Sequence, residues 1–174
     1  MSNKWHRRYL QLADTVASWS KDPSTKCGAV IVDERNRIVS LGFNGFARGV
    51  NDDENRYADR DIKYRMVVHA EMNAILFANR DLSGCTLYCN FPVCGQCASA
   101  IIQKGIERII IPAQNWPSFL TNRWGRDTIV TVQQFTDAGI SYFEYNSERD
   151  ELWLISHQRI MRESQTPSLT HNLP

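Results

Sequence analysis

Hydrophobic and polar positions fall into distinct blocks along the chain, and the first block is an amphipathic stripe. Apolar side chains recur from Trp5 onward at i, i+4 and i+7 spacing, which predicts a helix over 3–19. Pro23 disfavours helical geometry at the residue before it, so the helix ends by that point. Two runs rich in aliphatic residues follow at 27–32 and 37–43. Because four polar residues separate these runs, they predict an antiparallel hairpin.

A polar segment at 45–65 interrupts this pattern and carries five acidic and five basic side chains. It is too long for an ordinary connector, and long loops in compact domains are often functional. We therefore expect a solvated loop here, with a short helix over 55–64. Its basic residues are candidates for holding a phosphate, an anion that guanidinium groups bind well. They are Arg48, Arg56, Arg60, Lys63 and Arg65.

Helical and strand-like runs alternate over the rest of the chain. Helices between short strands are typical of a layered α/β domain whose later strands are parallel. We expect one domain over 1–163 and a flexible tail over 164–174, which is polar and contains two prolines. The predicted elements are helix 69–79, strand 85–90, helix 94–104, strand 108–111, helix 131–138, strand 140–145 and helix 148–161.

Composition and net charge exclude several classes of protein. The chain has 174 residues, 43% of them hydrophobic, and a formal net charge of +1 at pH 7. It is long enough to bury a core without disulfides, which excludes intrinsically disordered chains and mini-protein scaffolds. The charge balance lacks the basic stripe of a nucleic-acid binder, so we expect no nucleic-acid partner.

The same composition bears on cellular location. No apolar run approaches the ~18 residues of a membrane span, and Asp14 interrupts any signal-peptide core near the N-terminus. We therefore expect no membrane partner and a cytoplasmic location, where thiols stay reduced. The odd number of cysteines, five, agrees with that location. Cys27, Cys85 and Cys89 lie on predicted strands, where simple burial explains them best.

Two short motifs carry the candidate chemistry. His69-Ala70-Glu71 begins one predicted helix, and Cys94-Gly95-Gln96-Cys97 begins the next. Each motif alone is weak, but together they supply one imidazole and two thiolates as zinc ligands. Three protein ligands leave a fourth tetrahedral position for water, as in catalytic zinc sites. Glu71 is two residues from His69, so it can approach such a water without binding the metal.

These motifs resemble those of a known enzyme class. His-x-Glu followed by Pro-Cys-x-x-Cys is the signature of zinc-dependent deaminases, whose glutamate acts as general acid and base. Here Val93 adds one residue between Pro92 and Cys94. Further segments of the chain resemble deoxycytidylate (dCMP) deaminases, and the resemblance covers roughly residues 5–145. The segments are 19–32, 42–46, 69–75, 84–88 and 97–106.

The resemblance implies both a fold and an activity. The fold would be cytidine deaminase-like, a three-layer α/β/α arrangement with a five-stranded mixed sheet. The activity would be zinc-dependent deamination of dCMP to dUMP, with Glu71 as the catalytic acid and base. Asn44 and Ala70 would contact the substrate, and Trp116 would pack on the pyrimidine. Lys26 is a further candidate for holding the substrate phosphate, beside the basic residues of the 45–65 segment. Trp116 is expected in a loop, as is Trp124.

The resemblance also implies regulation and assembly. Many members of the family are activated by dCTP and inhibited by dTTP, with Mg²⁺ accompanying the triphosphate, and they form homo-hexamers. The regulatory site contains a Gly-Tyr-Asn-Gly motif, which matches Gly42-Phe43-Asn44-Gly45. Phe43 lacks the tyrosine hydroxyl, so any role of that hydroxyl is absent here.

Other interpretations remain open at this point. Asn44 and its flanking glycines also suit a simple tight turn. A polynucleotide deaminase acting on RNA or DNA would share the zinc motif, although the near-zero net charge argues against it. A zinc-stabilised interaction domain is a third alternative, but structural zinc normally has four protein ligands.

Overall fold

The computed structural model describes residues 3–114, 116–122 and 124–165, without the side chains of Pro117 and residues 163–165. Eight strands and eight helices are found in these ranges. The helices are α1 (Asn3–Ala17), α2 (Glu54–Ala58), α3 (Arg60–Met66), α4 (Ala70–Phe77), α5 (Gly95–Gln103), α6 (Trp116–Thr121), α7 (Gly125–Asp137) and α8 (His157–Gln165). The strands are β1 (Gly28–Val32), β2 (Ile38–Phe43), β3 (Gly45–Phe46), β4 (Val67–Val68), β5 (Thr86–Cys89), β6 (Arg108–Pro112), β7 (Ser141–Asn146) and β8 (Glu151–Leu154).

Six of these strands form one mixed sheet in the order β2-β1-β5-β6-β7-β8. β1 is antiparallel to both β2 and β5. β5, β6 and β7 are parallel, and β8 is antiparallel to β7. The predicted hairpin and the predicted parallel strands are therefore confirmed. β3 and β4 form a separate two-stranded ladder.

The sheet is covered on both faces, which explains why every residue of β1 and of β5 is buried. Along β1, Val30 and Val32 face α1, whereas Ala29 and Ile31 face α4 and α5. β6 divides in the same way, because side chains alternate across a strand. The three-layer α/β/α arrangement is thus confirmed. Burial on both faces is what parallel strands require.

The sheet has six strands, not the expected five, because the predicted helix over 148–161 is wrong. Leu152, Ile155 and Ile160 occupy spacings that suit a helix, yet the chain turns back at Asn146. Its Oδ1 accepts the backbone N–H groups of residues 148 and 149, and Asp150 takes a positive φ of 55°. This turn starts β8, and a helix begins only at His157.

Two segments expected to contain loops are more helical than predicted. The short helix expected over 55–64 is present as two helices, α2 and α3. In the 45–65 segment, Asp53 and Asp59 accept backbone N–H groups at the starts of α2 and α3. Farther along, α6 was not predicted, and α7 begins at Gly125 rather than at 131. Trp116 is therefore the first residue of a helix, and its expected loop placement is wrong.

The ends of the chain add little to the fold. α8 includes the first two residues of the predicted 164–174 tail, and the rest of that tail lies outside the described residues. Within the described ranges, no helix combines the length and the apolar character needed to span a membrane.

Candidate active site

The two sequence motifs meet at the N-termini of α4 and α5. His69 immediately precedes α4, Cys94 immediately precedes α5, and Cys97 lies in the first turn of α5. The Nδ1 atom of His69 is 3.2 Å from the Sγ atom of Cys94 and 3.5 Å from that of Cys97. One ligand atom from each residue falls within 4.8 Å of the others. The three side chains can therefore bind a single metal ion.

Close backbone packing fixes the position of α4. A Cβ atom at Gly42 of β2 would lie 2.2 Å from the carbonyl oxygen of Ala70 and 2.3 Å from the backbone nitrogen of Ala74. Only glycine permits such an approach, because any other side chain would push the helix away. Gly42 thus lets the strand hold α4, which carries Glu71, against the sheet.

The donor set fits zinc. Nitrogen and sulfur are the ligands that zinc prefers, and the described residues of this cluster supply three of them. A hydrogen bond from Cys97 lowers the pKa of Cys94 to about 4 against the effect of burial, and His69 contributes to that lowering. The bond to Cys94 in turn raises the pKa of His69 to about 9. Both shifts favour a thiolate at Cys94 beside a protonated His69, and a metal bound here would take the place of that proton.

Glu71 lies in the same cleft and is 4% exposed. Burial raises its pKa to about 7, because the carboxylate loses its hydration and the opposing charge of His69 compensates only in part. A carboxyl group with such a pKa can both accept and release a proton near neutral pH.

The cleft around these groups is largely apolar. Its walls come from the loop before β1, from β5 and the loop after it, and from α3, α6 and the start of α7. Phe91 and Phe119 lie edge to face, as do Tyr64 and Trp124. The lining residues are Asp22, Thr25, Cys27, Asn44, Lys63, Tyr64, Val67, His69, Glu71, Cys89, Phe91, Pro92, Val93, Cys94, Phe119, Trp124, Asp127 and Thr128.

A family match decides the class of this site. The sequence model of the cytidine and deoxycytidylate deaminase zinc-binding region matches residues 3–113. The chain belongs to this family. An uncharacterized deaminase in the luxG 3' region of Aliivibrio fischeri is 49% identical over 140 residues, which cover 80% of this chain and 92% of that protein.

Two further relatives bear on the deaminase assignment. The deoxycytidylate deaminase of Mus musculus is 32% identical over 173 residues, covering 94% of this chain and 92% of the relative. A solved structure, dCMP deaminase from the cyanophage S-TIM5 in complex with dCMP and dUMP, aligns with a TM-score of 0.65 at 20% identity. That alignment covers 83% of this chain and 98% of the other. The structural likeness confirms the cytidine deaminase-like fold.

The structure of this deaminase places Asn44 in the cleft wall with its side-chain amide already engaged. Its Oδ1 accepts the backbone N–H of Cys27 at 2.8 Å, and its Nδ2 donates to the carbonyl oxygen of Thr25 at 2.9 Å. Asn44 therefore fixes the segment before β1. Ala70 is completely buried, and its backbone contacts the Gly42 strand as described above.

Lys26 and Trp116 are not brought to the cleft. Lys26 is exposed and its Nζ contacts the carbonyl oxygen of Ser18 at 3.4 Å, although its chain neighbours line the cleft. Trp116 is 1% exposed and its Nε1 donates to Glu144 at 2.8 Å. Trp116 thus lies in the core, and Trp124 is the tryptophan of the cleft.

Two further residues of the Gly-x-Asn-Gly motif, Phe43 and Gly45, differ in what surrounds them. Phe43 is 36% exposed, contacts Trp19 edge to face, and its carbonyl oxygen accepts from Asn73. Gly45 has open space, since a Cβ there would meet only the Tyr57 hydroxyl, at 3.8 Å. The effector role of this motif stays a prediction.

Among the basic candidates for phosphate binding, the cleft takes Lys63 alone from the described residues. Its Nζ is buried and pairs with both carboxylate oxygens of Asp22, at 2.8 and 2.9 Å, and it also donates to Ser24. Burial opposes ionisation of Asp22, yet the bonds from Lys63 and Ser24 outweigh it and lower the pKa of that carboxyl. The positive charge of Lys63 is thus already balanced by the carboxylate of Asp22.

Sequence reasoning missed several cleft residues and foresaw others. Phe119, Trp124, Asp127 and Thr128 come from α6 and from the start of α7, where no short motif marks them. The additional residue Val93 is 1% exposed, and its backbone N–H donates to the Tyr142 hydroxyl at 3.3 Å. The insertion is therefore absorbed in the core without disturbing the Cys-x-x-Cys spacing.

The other three cysteines lie outside the metal cluster, as expected. Cys85 and Cys89 are each 1% exposed, which confirms their burial. Cys27 is half-buried and lines the cleft, and burial raises its pKa to about 12. All five cysteines are free thiols.

Proposed function

We propose that this protein catalyses the zinc-dependent hydrolysis of dCMP to dUMP and ammonia. The observation that carries the proposal is the convergence of His69, Cys94 and Cys97 on one point, with Glu71 in the same cleft. Family membership supports it, as does the 32% identity to a mouse protein named deoxycytidylate deaminase.

His69, Cys94 and Cys97 would hold the zinc ion. Bound there, zinc supplies Lewis acidity that makes water a stronger nucleophile near neutral pH. Two of the three ligands sit at the N-terminal end of α5, where unpaired N–H groups and the helix dipole favour thiolates. The backbone N–H of Cys97 already points to the Cys94 sulfur at 3.5 Å.

Glu71 would carry every proton that the reaction moves. It takes a proton from the attacking water and places it on N3 of the pyrimidine, which makes C4 electrophilic. After oxygen adds to C4, the same carboxylate takes the remaining proton from the new C4 hydroxyl and delivers it to the exocyclic amine, so that the C4 carbonyl forms. The C4–N bond then breaks and ammonia leaves. Its raised pKa, about 7, suits a group that must accept and donate in one cycle.

The cleft would hold the base between aromatic side chains. Phe91, Phe119 and Trp124 line the same cavity as Glu71. Stacking on aromatic side chains recognises a pyrimidine through its π-face. The proposed contact of Asn44 with the nucleotide is supported by its place in this wall. Hydrogen bonds to Cys27, Thr25 and Asp22 hold its amide in one orientation.

Assembly and regulation belong to the same proposal. We expect a homo-oligomer, and specifically a hexamer. Exposed apolar side chains near β2 and α4 support it, because such side chains commonly mark a surface that another chain covers. These are Trp19, Phe43, Leu76 and Phe77, which are 36–65% exposed. Activation by dCTP and inhibition by dTTP, with Mg²⁺ on the triphosphate, remain predictions for the motif at Gly42–Gly45. The five free thiols support a cytoplasmic location.

A substrate panel tests the proposed activity. Purified protein of measured zinc content is assayed for ammonia release from dCMP, deoxycytidine, CMP, dCTP and a cytosine-containing single-stranded DNA. We expect one zinc per chain and the highest kcat/KM for dCMP. Faster deamination of the DNA than of dCMP would overturn the substrate assignment. Full activity in protein from which chelator has removed all zinc would overturn the metal assignment.

A further inference from the structure

One carboxylate of the cleft makes a contact that no motif marks. The Oδ2 atom of Asp127 accepts the backbone N–H of Gly95 at 3.1 Å. Gly95 is the first residue of α5 and lies between the two cysteine ligands in the chain. A helix start has backbone N–H groups without helical partners. Asp127 occupies one of them, while the Cys94 sulfur occupies the N–H of Cys97.

Close packing of α7 against α6 and α5 places the Asp127 carboxylate at the start of α5. Gly125, the first residue of α7, packs so tightly that a Cβ atom there would lie 1.9 Å from the carbonyl oxygen of Leu120. A Cβ at Gly95 would in turn lie 3.2 Å from Oδ1 of Asp127. The carboxylate is therefore wedged between the first turn of its own helix and the N-terminus of α5, and both helix dipoles favour its negative charge.

The same contact is continued by a second link between α5 and α7. The side-chain nitrogen of Gln134 donates to the Ser99 hydroxyl at 3.1 Å, and that hydroxyl donates to the carbonyl oxygen of Gly95 at 3.2 Å. The Gly95 N–H is thus bonded to Asp127 of α7, and its C=O to Ser99 of α5, whose hydroxyl in turn contacts Gln134 of α7. The backbone of Gly95 has little freedom to turn the Cys94–Cys97 segment.

We propose that Asp127 is a positioning residue for the metal ligands, one that holds the Cys94–Cys97 turn in its binding geometry and thereby sets the affinity for zinc. The proposal rests on the zinc site of the proposed function. Residues that orient metal ligands commonly contribute 10- to 100-fold to metal affinity. Asp127 lies beyond residues 3–113, so the family match does not reach it.

The test compares Asp127→Ala with Asp127→Asn, since asparagine keeps an oxygen that can accept the Gly95 N–H. Zinc affinity is measured by competition with a chromogenic chelator, using full-length protein. We expect Asp127→Ala to bind zinc about 10- to 100-fold more weakly and Asp127→Asn to stay within about threefold of the wild type. Asp137→Ala, which changes an exposed carboxylate on the same helix, is the matched control and should bind zinc normally.

Thermal unfolding separates positioning from general packing. If Asp127 orients the ligands, Asp127→Ala should lower the stabilisation that added zinc gives, while the zinc-free protein unfolds near the wild-type temperature. Wild-type zinc affinity in Asp127→Ala would overturn the proposal, and so would equal losses of stability with and without zinc. If the wild type itself binds no zinc, the proposed function fails, which is a different result from an unchanged variant.

Discussion

The cleft has two kinds of wall, and they differ in how the sequence encodes them. One wall is formed by His69, Glu71 and Cys94, which belong with Cys97 to two short motifs at two helix starts. The other wall consists of Lys63 and Tyr64 from α3, Phe119 from α6, and Trp124 and Asp127 at the start of α7. We call these the motif wall and the unmarked wall.

The difference indicates which residues determine the reaction and which residues determine the substrate. The motif wall needs fixed spacing, because a metal ligand and a proton carrier must share one helix turn. The unmarked wall needs only suitable side chains facing the same cavity, and these come from segments more than 50 residues apart. Changes in the motif wall should act mainly on kcat. Changes in the unmarked wall should act on KM or on stability, except at Asp127, which we propose acts on the zinc ligands.

The largest expected effect is that of Glu71→Gln in the motif wall. The amide keeps the shape of the side chain but cannot carry protons, and acid–base catalysis is worth about 10²- to 10⁴-fold. We expect kcat for dCMP to fall by at least about a hundredfold while zinc content stays normal. Rates come from ammonia release and metal content from elemental analysis. Glu54→Gln, at an exposed carboxylate, serves as the control, and near wild-type turnover by Glu71→Gln would refute the role of Glu71.

A second prediction concerns Lys63→Met in the unmarked wall. Removing one partner of a buried ion pair leaves Asp22 uncompensated, which costs about 3–5 kcal/mol. We expect a loss of that size in the free energy of unfolding at pH 7, measured with urea. The double variant Lys63→Met with Asp22→Asn should recover part of it. If Lys63→Met is as stable as the wild type, the pair does not anchor α3.

The pH dependence of that loss follows from the lowered pKa of Asp22. In the wild type the folded pKa lies below the unfolded one. The pair therefore stabilises the protein above the ordinary pKa of aspartate, and this contribution disappears as pH falls through the folded pKa. In Lys63→Met the unpaired carboxyl can be protonated more easily. The stability gap between the two proteins should thus narrow on acidification, and a constant gap would contradict this explanation.

The comparison of the two walls also shows how far the sequence reaches. Local spacing alone pairs His69 with Glu71 and Cys94 with Cys97. That the two pairs meet could be predicted because both motifs together match the signature of zinc-dependent deaminases. Trp116 and Trp124 could not be told apart in this way, because the partner that buries Trp116 is Glu144, on a strand 28 residues later. Similarly, β8 depends on pairing with β7, which the helix-like spacing of its apolar residues does not reveal.

The smallest expected effect is that of Trp124→Ala, and it tests whether the unmarked wall recognises the base. Trp124 borders the cavity and lies edge to face with Tyr64, with ring centroids 6.2 Å apart. Stacking of an aromatic side chain on a base is worth about 1–3 kcal/mol. We therefore expect KM for dCMP to rise about tenfold, which is near the lower end of that range, with kcat changed by less than about threefold. Trp153→Ala, on β8 and outside the cleft, is the matched control and should leave both constants unchanged. A fall in kcat with an unchanged KM would place Trp124 with the motif wall and remove the division between chemistry and binding.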